Sequence, residues 1–282
     1  MLKTGGFIWK GCIDLEKDDV WPLNLAVIRL AIMFWLLGWY CKSYFFLPYF
    51  LEVIFKIPVI HPLFPPFFLN PYVSVVFFFV PAFCIPSLIR PTKPRLIFSS
   101  ILMTVSSLVM MLHINSYNDA TFVTSFWVSF WIMWLAFQSH RTDSVLRQQA
   151  CLLARLILGL IFFAGFVGKL TPEYLSGKVF YQIFWGESKV WPHNWLIAHF
   201  NPEQLKAISL YVSTFIIFSE LLLACAPMFR SRFVFVLAPC ILSCFMITNT
   251  WAIFSVVGCL IGMMVSCLFY MNAESGSVQN HA

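Results

Sequence analysis

The chain has 282 residues, of which 60% are hydrophobic, 18% are aromatic and only 11% are charged, and its formal net charge is +6. A soluble domain usually carries about 25% charged residues, so water is not the main solvent of this chain. Because a membrane-spanning helix needs about 20 predominantly apolar residues and such stretches follow one another here, the composition predicts an all-α polytopic membrane helix bundle with about eight transmembrane helices. It excludes a soluble domain of any size.

The predicted organisation is a single transmembrane domain over residues 23–271. Residues 1–22 mix Lys with Asp and Glu and lack the basic, apolar and small-residue order of a cleaved signal peptide. We therefore expect them to remain as a cytoplasmic N-terminal segment, and residues 272–282 to form a cytoplasmic tail. The predicted spans are 23–40, 72–89, 96–115, 121–138, 149–170, 208–229, 233–248 and 251–271.

Two segments between these spans are rich in aromatic residues. Residues 44–71 are interrupted by Pro58, Pro62, Pro65 and Pro66, and proline breaks a helix, so we expect an interfacial segment there. Residues 171–206 are predicted to form a long, irregular outer loop rich in Trp, Tyr, Phe and His, which we interpret as a lid or ligand-contacting surface.

The distribution of Lys and Arg predicts the orientation of the chain. With the N-terminus inside, the inner segments hold ten basic residues, namely Lys3, Lys10, Lys17, Arg90, Lys93, Arg95, Arg141, Arg147, Arg230 and Arg232. The outer segments hold five, namely Lys42, Lys56, Lys178, Lys189 and Lys206. Both termini are therefore predicted to be cytoplasmic, in a plasma or inner membrane, or in an endomembrane if the source is eukaryotic. Since these basic residues are a topology signal, the expected partners are membrane lipids and not nucleic acid.

Four residues with side chains that are charged at pH 7 stand out inside the predicted spans: Arg29, Arg155, Lys169 and Glu220. Such residues usually face the interior of a bundle and often mark function. Arg155 and Glu220 lie in neighbouring antiparallel spans, and we expect them to form a buried ion pair because an unpaired ion there is far less favourable. We assign structural roles to Arg29, Arg155 and Glu220.

Lys169 ends a helical run in which Gly159, Gly165 and Gly168 allow close helix approach. Desolvation in an apolar pocket favours the neutral form of a lysine, which can then act as a base or nucleophile. The alternative is that Lys169 reaches outward to the lipid headgroups.

Several polar residues share the predicted outer leaflet with Lys169 and could line an outward-facing chamber as substrate-binding residues: His113, Asn118, Asp119, Glu173, His193 and His199. The alternative is that these side chains hydrogen-bond to loop carbonyls. His193 and His199 are six residues apart, which predicts no metal site.

Four blocks of sequence, in order, resemble the HTTM-domain family, the bacterial relatives of the vitamin K-dependent γ-carboxylase, in its transmembrane part. The first is the opening span with Arg29. The second is Ser-Tyr-Asn-Asp-Ala-Thr at 116–121, and the third is Ala-Gly-Phe-Val-Gly-Lys-Leu at 164–170, followed by Glu-Tyr-Leu-Ser-Gly at 173–177. The fourth is Ser-Glu-Leu at 219–221 with Arg-Ser-Arg at 230–232.

The resemblance implies an outward-facing chamber in which a base, matching Lys169, deprotonates a reduced quinone that then reacts with oxygen. In the carboxylase, the strong base so formed removes a γ-proton from a peptide glutamate, and carbon dioxide adds. This chain has Ala120 and Met246 where the carboxylases have histidines, and we expect no counterpart of their β-rich peptide-docking domain. Full glutamate carboxylation is therefore not expected.

Three functions stay open at this point. The first is a membrane enzyme acting on a quinone or similar lipid-soluble ring compound. The second is a non-catalytic lipid- or quinone-binding subunit, or an assembly factor for another membrane protein. A transporter is less favoured, because we find no paired repeat of interrupted helices.

Overall fold

A computed structural model describes residues 21–43, 65–116, 119–139, 141, 144–182, 191–229, 231–248 and 252–279. Regular structure in these ranges is helical, without strands. The helices are α1 Trp21–Cys41, α2 Pro66–Leu69, α3 Pro71–Phe79, α4 Ile85–Ile89, α5 Lys93–Leu112, α6 Ala120–Gln138, α7 Ser144–Gly168, α8 Pro172–Leu175, α9 Lys178–Phe180, α10 Trp191–His199, α11 Pro202–Ala224, α12 Ser231–Thr248 and α13 Ala252–Gln279.

The predicted all-α polytopic membrane bundle is confirmed. Seven helical stretches in the described part of the chain are long and apolar enough to cross a membrane, and they match seven of the predicted spans. The remaining prediction, 233–248, corresponds to α12, whose apolar stretch Arg232–Phe245 is shorter. The protein is therefore an integral membrane protein.

Several helix bounds differ from the predicted spans, for local reasons. The span predicted at 72–89 consists of α3, a 3₁₀ segment Val80–Cys84 and α4, since Pro81 and Pro86 lack the N–H that a continuous α-helix requires. Helix α11 begins at Pro202, six residues before the predicted start. Its first turn is closed by a reciprocal capping box between Asn201 and Gln204.

Residues 171–206 were expected to form an irregular outer loop, and the expected irregularity is wrong for much of this segment. It contains α8, α9, α10 and the start of α11. The Thr171 hydroxyl accepts a hydrogen bond from the Tyr174 N–H and Pro172 occupies the first turn, which together start α8. In the predicted interfacial segment, residues 44–64 lie outside the described residues, and from Pro66 onward the chain is helical.

Helix α13 is the centre of the bundle and packs against α1, α6, α7 and α12. Its closest partner is α1, and glycines make that approach possible. A Cβ on Gly38 would lie 3.4 Å from the Ser255 carbonyl oxygen, and one on Gly262 would overlap Phe34 Cβ. Glycine at these two positions lets the backbones of α1 and α13 pack directly together.

Three buried tryptophans join neighbouring helices through their indole N–H groups. Trp35 donates to the Ser125 carbonyl at 2.8 Å, Trp39 to the Phe78 carbonyl at 2.8 Å, and Trp131 to the Ala150 carbonyl at 3.0 Å. Each indole thus packs its apolar body in the core while its N–H is satisfied. These contacts connect α1 with α6, α1 with α3, and α6 with α7.

Helix α7 shows how a spanning helix divides its surface. One face, which includes Ala154, Leu158 and Phe162, is buried in the bundle, and the other exposes a continuous apolar stripe. The stripe consists of Leu152, Leu156, Leu160, Phe163 and Val167. In a chain of this composition such a stripe faces lipid, which is an unfavourable environment for the polar residues of α7.

Candidate functional site

The site is built on the antiparallel contact between α7 and α11. A Cβ on Gly159 would lie 2.8 Å from Pro227 Cδ and 3.0 Å from the Ala224 carbonyl oxygen, so only glycine fits there. Two turns further along α7, a Cβ on Gly165 would lie 3.4 Å from both carboxylate oxygens of Glu220. These two contacts define the register of the helix pair and place Glu220 opposite Gly165.

Lys169 and Glu220 form an ion pair in this seam, with Lys169 Nζ 2.7 Å from Glu220 Oε1. Lys169 is the first residue after α7, which ends at Gly168, and it follows Gly165 by four residues. Since the Glu220 carboxylate lies opposite Gly165, the Lys169 side chain extends from the end of α7 back toward Gly165 to reach it.

The pair is only slightly accessible to solvent. The side chains of Lys169 and Glu220 are 24% and 9% exposed. Glu220 Oε2 is buried and has no hydrogen-bond partner among the described residues. The carboxylate therefore uses one oxygen for the lysine and keeps unfilled acceptor capacity on the other.

The short helix α8 lies beside the pair. The Tyr174 ring centroid lies 5.9 Å from Lys169 Nζ, within the range of a cation–π contact. The Ser213 hydroxyl of α11 donates to the Tyr174 carbonyl. Tyr174 is thus attached to α11 by its backbone while its ring covers the ammonium group.

The expected Arg155–Glu220 pair is wrong. Arg155 Nη1 donates to the Phe229 carbonyl at 2.8 Å, beyond the end of α11. Arg155 and Gly165 are ten residues apart on α7, which is about 15 Å along the axis, so Arg155 lies too far from the level of Glu220. Arg29, to which we assigned a structural role, donates a hydrogen bond from Nη2 to the Leu88 carbonyl at 2.6 Å.

Two residues predicted to bind substrate make contacts with the framework. His113 Nε2 lies 2.9 Å from the Asn70 carbonyl oxygen, and since that oxygen only accepts, this nitrogen donates. Burial lowers the pKa of His113, and the hydrogen bond to Asn70 opposes that shift. Asp119 caps α6 by accepting from the Thr121 N–H at 2.8 Å and pairs with Lys42 at 2.8 Å.

Two further residues predicted to bind substrate, Glu173 and His199, lie in the segment between α7 and α11. Glu173 is exposed on α8. His199 ends α10, where its Nδ1 lies 2.7 Å from the Trp195 carbonyl and its ring stacks on the Trp195 indole. His193 lies in α10 with a side chain outside the described set, and Asn118 lies outside the described residues. The convergence of these residues on Lys169 stays a prediction.

The chemistry available at the seam is proton transfer between an amine and a carboxylate. No group of three or more His, Cys, Asp or Glu in the described ranges could hold a metal ion.

Sequence reasoning found Lys169 and Glu220 but missed their pairing and the role of Tyr174. The spacing Gly165-x-x-x-Lys169 was the available signal, since a glycine one turn before a lysine leaves room for a partner from the facing helix.

Fold and site together define an integral helical membrane protein with a Lys–Glu pair between two of its long helices. Comparisons of the chain with protein-family models, with curated proteins and with solved structures find no match.

Proposed function

We propose that the protein is an HTTM-like membrane enzyme in which Lys169 acts as a base on a reduced quinone or a similar lipid-soluble hydroxylated ring compound, with Glu220 as the proton partner of the lysine. The observation that carries the proposal is the 2.7 Å contact between Lys169 Nζ and Glu220 Oε1. It supports the proposal because a lysine can serve as a base only after its own proton has moved to an acceptor.

The proton balance of the proposed step is simple. Lys169 transfers one proton to Glu220 Oε1, which leaves a neutral amine and a neutral carboxylic acid. The amine then takes the hydroxyl proton of the substrate, and the products are an ammonium group and the substrate oxyanion. The ammonium charge stabilises that oxyanion at short range. Reaction of the oxyanion with oxygen is the later chemistry that the family resemblance implies.

The surroundings of the pair suit a substrate that is dissolved in the bilayer. Phe163 and Val167 of α7 and Phe215 and Phe218 of α11 are exposed large apolar residues on the two helices that carry the pair. A flat apolar ring could therefore approach the seam through lipid. We place the site in the outer leaflet of a plasma or inner membrane, following the predicted orientation.

A non-catalytic lipid- or quinone-binding subunit, or an assembly factor for another membrane protein, is the second candidate. It is favoured by the Lys42–Asp119 pair, in which the same kind of 2.8 Å contact accompanies a capping role. If Lys169–Glu220 were likewise structural, the pair would hold α7 and α11 together without chemistry.

The test uses purified protein in lipid nanodiscs with a panel of reduced naphthoquinones and benzoquinones and oxygen, and it measures epoxide or other oxidised product by mass spectrometry. The decisive variant is Lys169→Arg. Arginine keeps the positive charge and can still pair with Glu220, but it does not give up its proton in proteins. Lys42→Met is the matched control, because it removes an ammonium group from the Lys42–Asp119 ion pair.

Product from wild type and Lys42→Met, with none from folded Lys169→Arg, is the expected result. Equal turnover by wild type and Lys169→Arg would refute the role of Lys169 as base. Quinone binding without turnover in any form would favour the second candidate, and the absence of both binding and turnover would refute the choice of quinone as ligand.

A further inference from the structure

A second polar site lies at the other end of α7, where α7 and α13 enclose a cleft of about 400 Å³. Its lining includes Arg147, Gln148, Gln149, Arg155 and Tyr270. Arg155 is fourteen residues from Lys169, which is about 21 Å along the helix. The cleft is therefore separate from the seam that holds the Lys169–Glu220 pair.

Two polar atoms at this cleft have no hydrogen-bond partner within the described part of the chain. Tyr270 is 0% exposed, and its hydroxyl is buried without a partner. Arg155 Nε is also buried and unpartnered, although Arg155 Nη1 donates to the Phe229 carbonyl. Buried donors without an acceptor are unfavourable, so these two N–H and O–H groups indicate a missing acceptor.

The charge of the lining identifies the kind of acceptor. Arg147 and Arg155 lie eight residues apart on one face of α7, and no carboxylate is among the lining residues that the structure describes. A guanidinium group donates two parallel hydrogen bonds to the oxygens of a phosphate, and a tyrosine hydroxyl can donate to a third oxygen. A volume of about 400 Å³ falls within the size range of small-ligand sites.

We propose that the cleft between α7 and α13 binds a phosphate group through Arg155, Arg147 and the Tyr270 hydroxyl. The phosphate belongs either to the headgroup of an anionic phospholipid or to a soluble phosphate ester. The predicted orientation places this end of α7 at the cytoplasmic face, where anionic lipids and soluble phosphates are both available. The site is independent of the function proposed for Lys169.

The test measures binding to the delipidated full chain in detergent by native mass spectrometry. The probes are dioctanoyl phosphatidic acid, dioctanoylglycerol as the same lipid without phosphate, glycerol 3-phosphate and inorganic phosphate. The variants are Tyr270→Phe and Arg155→Gln. Arg95→Gln is the matched control, because Arg95 is an exposed arginine that donates to the Arg90 carbonyl at the start of α5.

Phosphatidic acid is expected to bind more tightly than dioctanoylglycerol. Tyr270→Phe should raise its Kd about tenfold, as expected for the loss of one hydrogen bond to a charged group. Arg155→Gln should raise it at least as much, and Arg95→Gln should leave it unchanged. Tyr270→Phe removes only an unpartnered hydroxyl, so this variant should fold even if Arg155→Gln does not.

The soluble probes distinguish the two sources of phosphate. Binding of glycerol 3-phosphate or inorganic phosphate that weakens in Tyr270→Phe would support a site for free phosphate esters, whereas binding of phosphatidic acid alone would support a lipid headgroup site. The proposal is overturned if no phosphate probe binds more tightly than dioctanoylglycerol, or if Tyr270→Phe binds phosphatidic acid as tightly as wild type.

Discussion

The Lys169–Glu220 pair lends itself to a double-mutant cycle, because each partner can be neutralised with little change in shape. Lys169→Met leaves the Glu220 carboxylate in the seam without its ammonium partner, and Glu220→Gln leaves the ammonium group without its counter-charge. Breaking a buried pair on one side costs about 3–5 kcal/mol. Since Lys169 retains 24% exposure, we expect the lower end, about 3 kcal/mol, for each single variant.

The double variant Lys169→Met/Glu220→Gln should lose much less, about 1 kcal/mol, because it removes both charges together. The free energy of unfolding is measured by titration with a denaturing detergent in mixed micelles. Lys42→Met is the control, and it should lose less than about 1 kcal/mol because the carboxylate that it leaves without a lysine, Asp119, is 31% exposed, whereas Glu220 is 9% exposed. Additive effects of the two single variants would refute the description of Lys169 and Glu220 as an interacting buried pair.

The remaining predictions concern packing, capping and protonation, each read from the thermal midpoint of the protein in detergent. Gly262→Ala should destabilise the bundle by about 1–3 kcal/mol, since its methyl group overlaps Phe34 Cβ, and an unchanged midpoint would contradict the close α1–α13 contact. Asn201→Ala should lose about 1 kcal/mol by opening the capping box with Gln204, whereas Asn201→Ser should retain most of the stability. Burial lowers the pKa of His113 below its unfolded value of about 6.5, so the unfolded chain binds the proton first and stability should fall as the pH drops below that value. His113→Gln should remove this part of the pH dependence, and an unchanged slope would assign it to other groups.

The spans were predictable because the lipid bilayer sets the length and apolarity of a spanning helix. In lipid, the backbone N–H and C=O groups of a run of about 20 apolar residues are paired when the run forms a helix, and tertiary packing does not alter that requirement. The predicted start of the sixth span was late because the first turns of α11 are polar. Pro202 and the Asn201–Gln204 capping box begin a helix through hydrogen bonding and not through hydrophobicity.

The pairing of the buried charges was not predictable from the same signal. Hydropathy locates each span and the distribution of Lys and Arg predicts its direction, but neither gives the axial register between two spans, and that register decides which charges meet. Here the register depends on two steric contacts, that of Gly159 with Pro227 and that of Gly165 with Glu220. Neither contact can be deduced from the sequence of one helix alone. Arg155 was therefore matched with a carboxylate that lies at a different level of the bundle.

The central place of α13 also bears on how the protein is made. Helix α1 leaves the ribosome before the other described helices, whereas its main packing partner α13 follows all of them. Until α13 inserts, the glycine-containing face of α1 and the side chains around Trp35 have to be covered by lipid or by an insertion chaperone. Assembly of the described bundle is thus coupled to completion of α13, and nascent chains stalled before residue 252 should remain bound to insertion factors and be degraded.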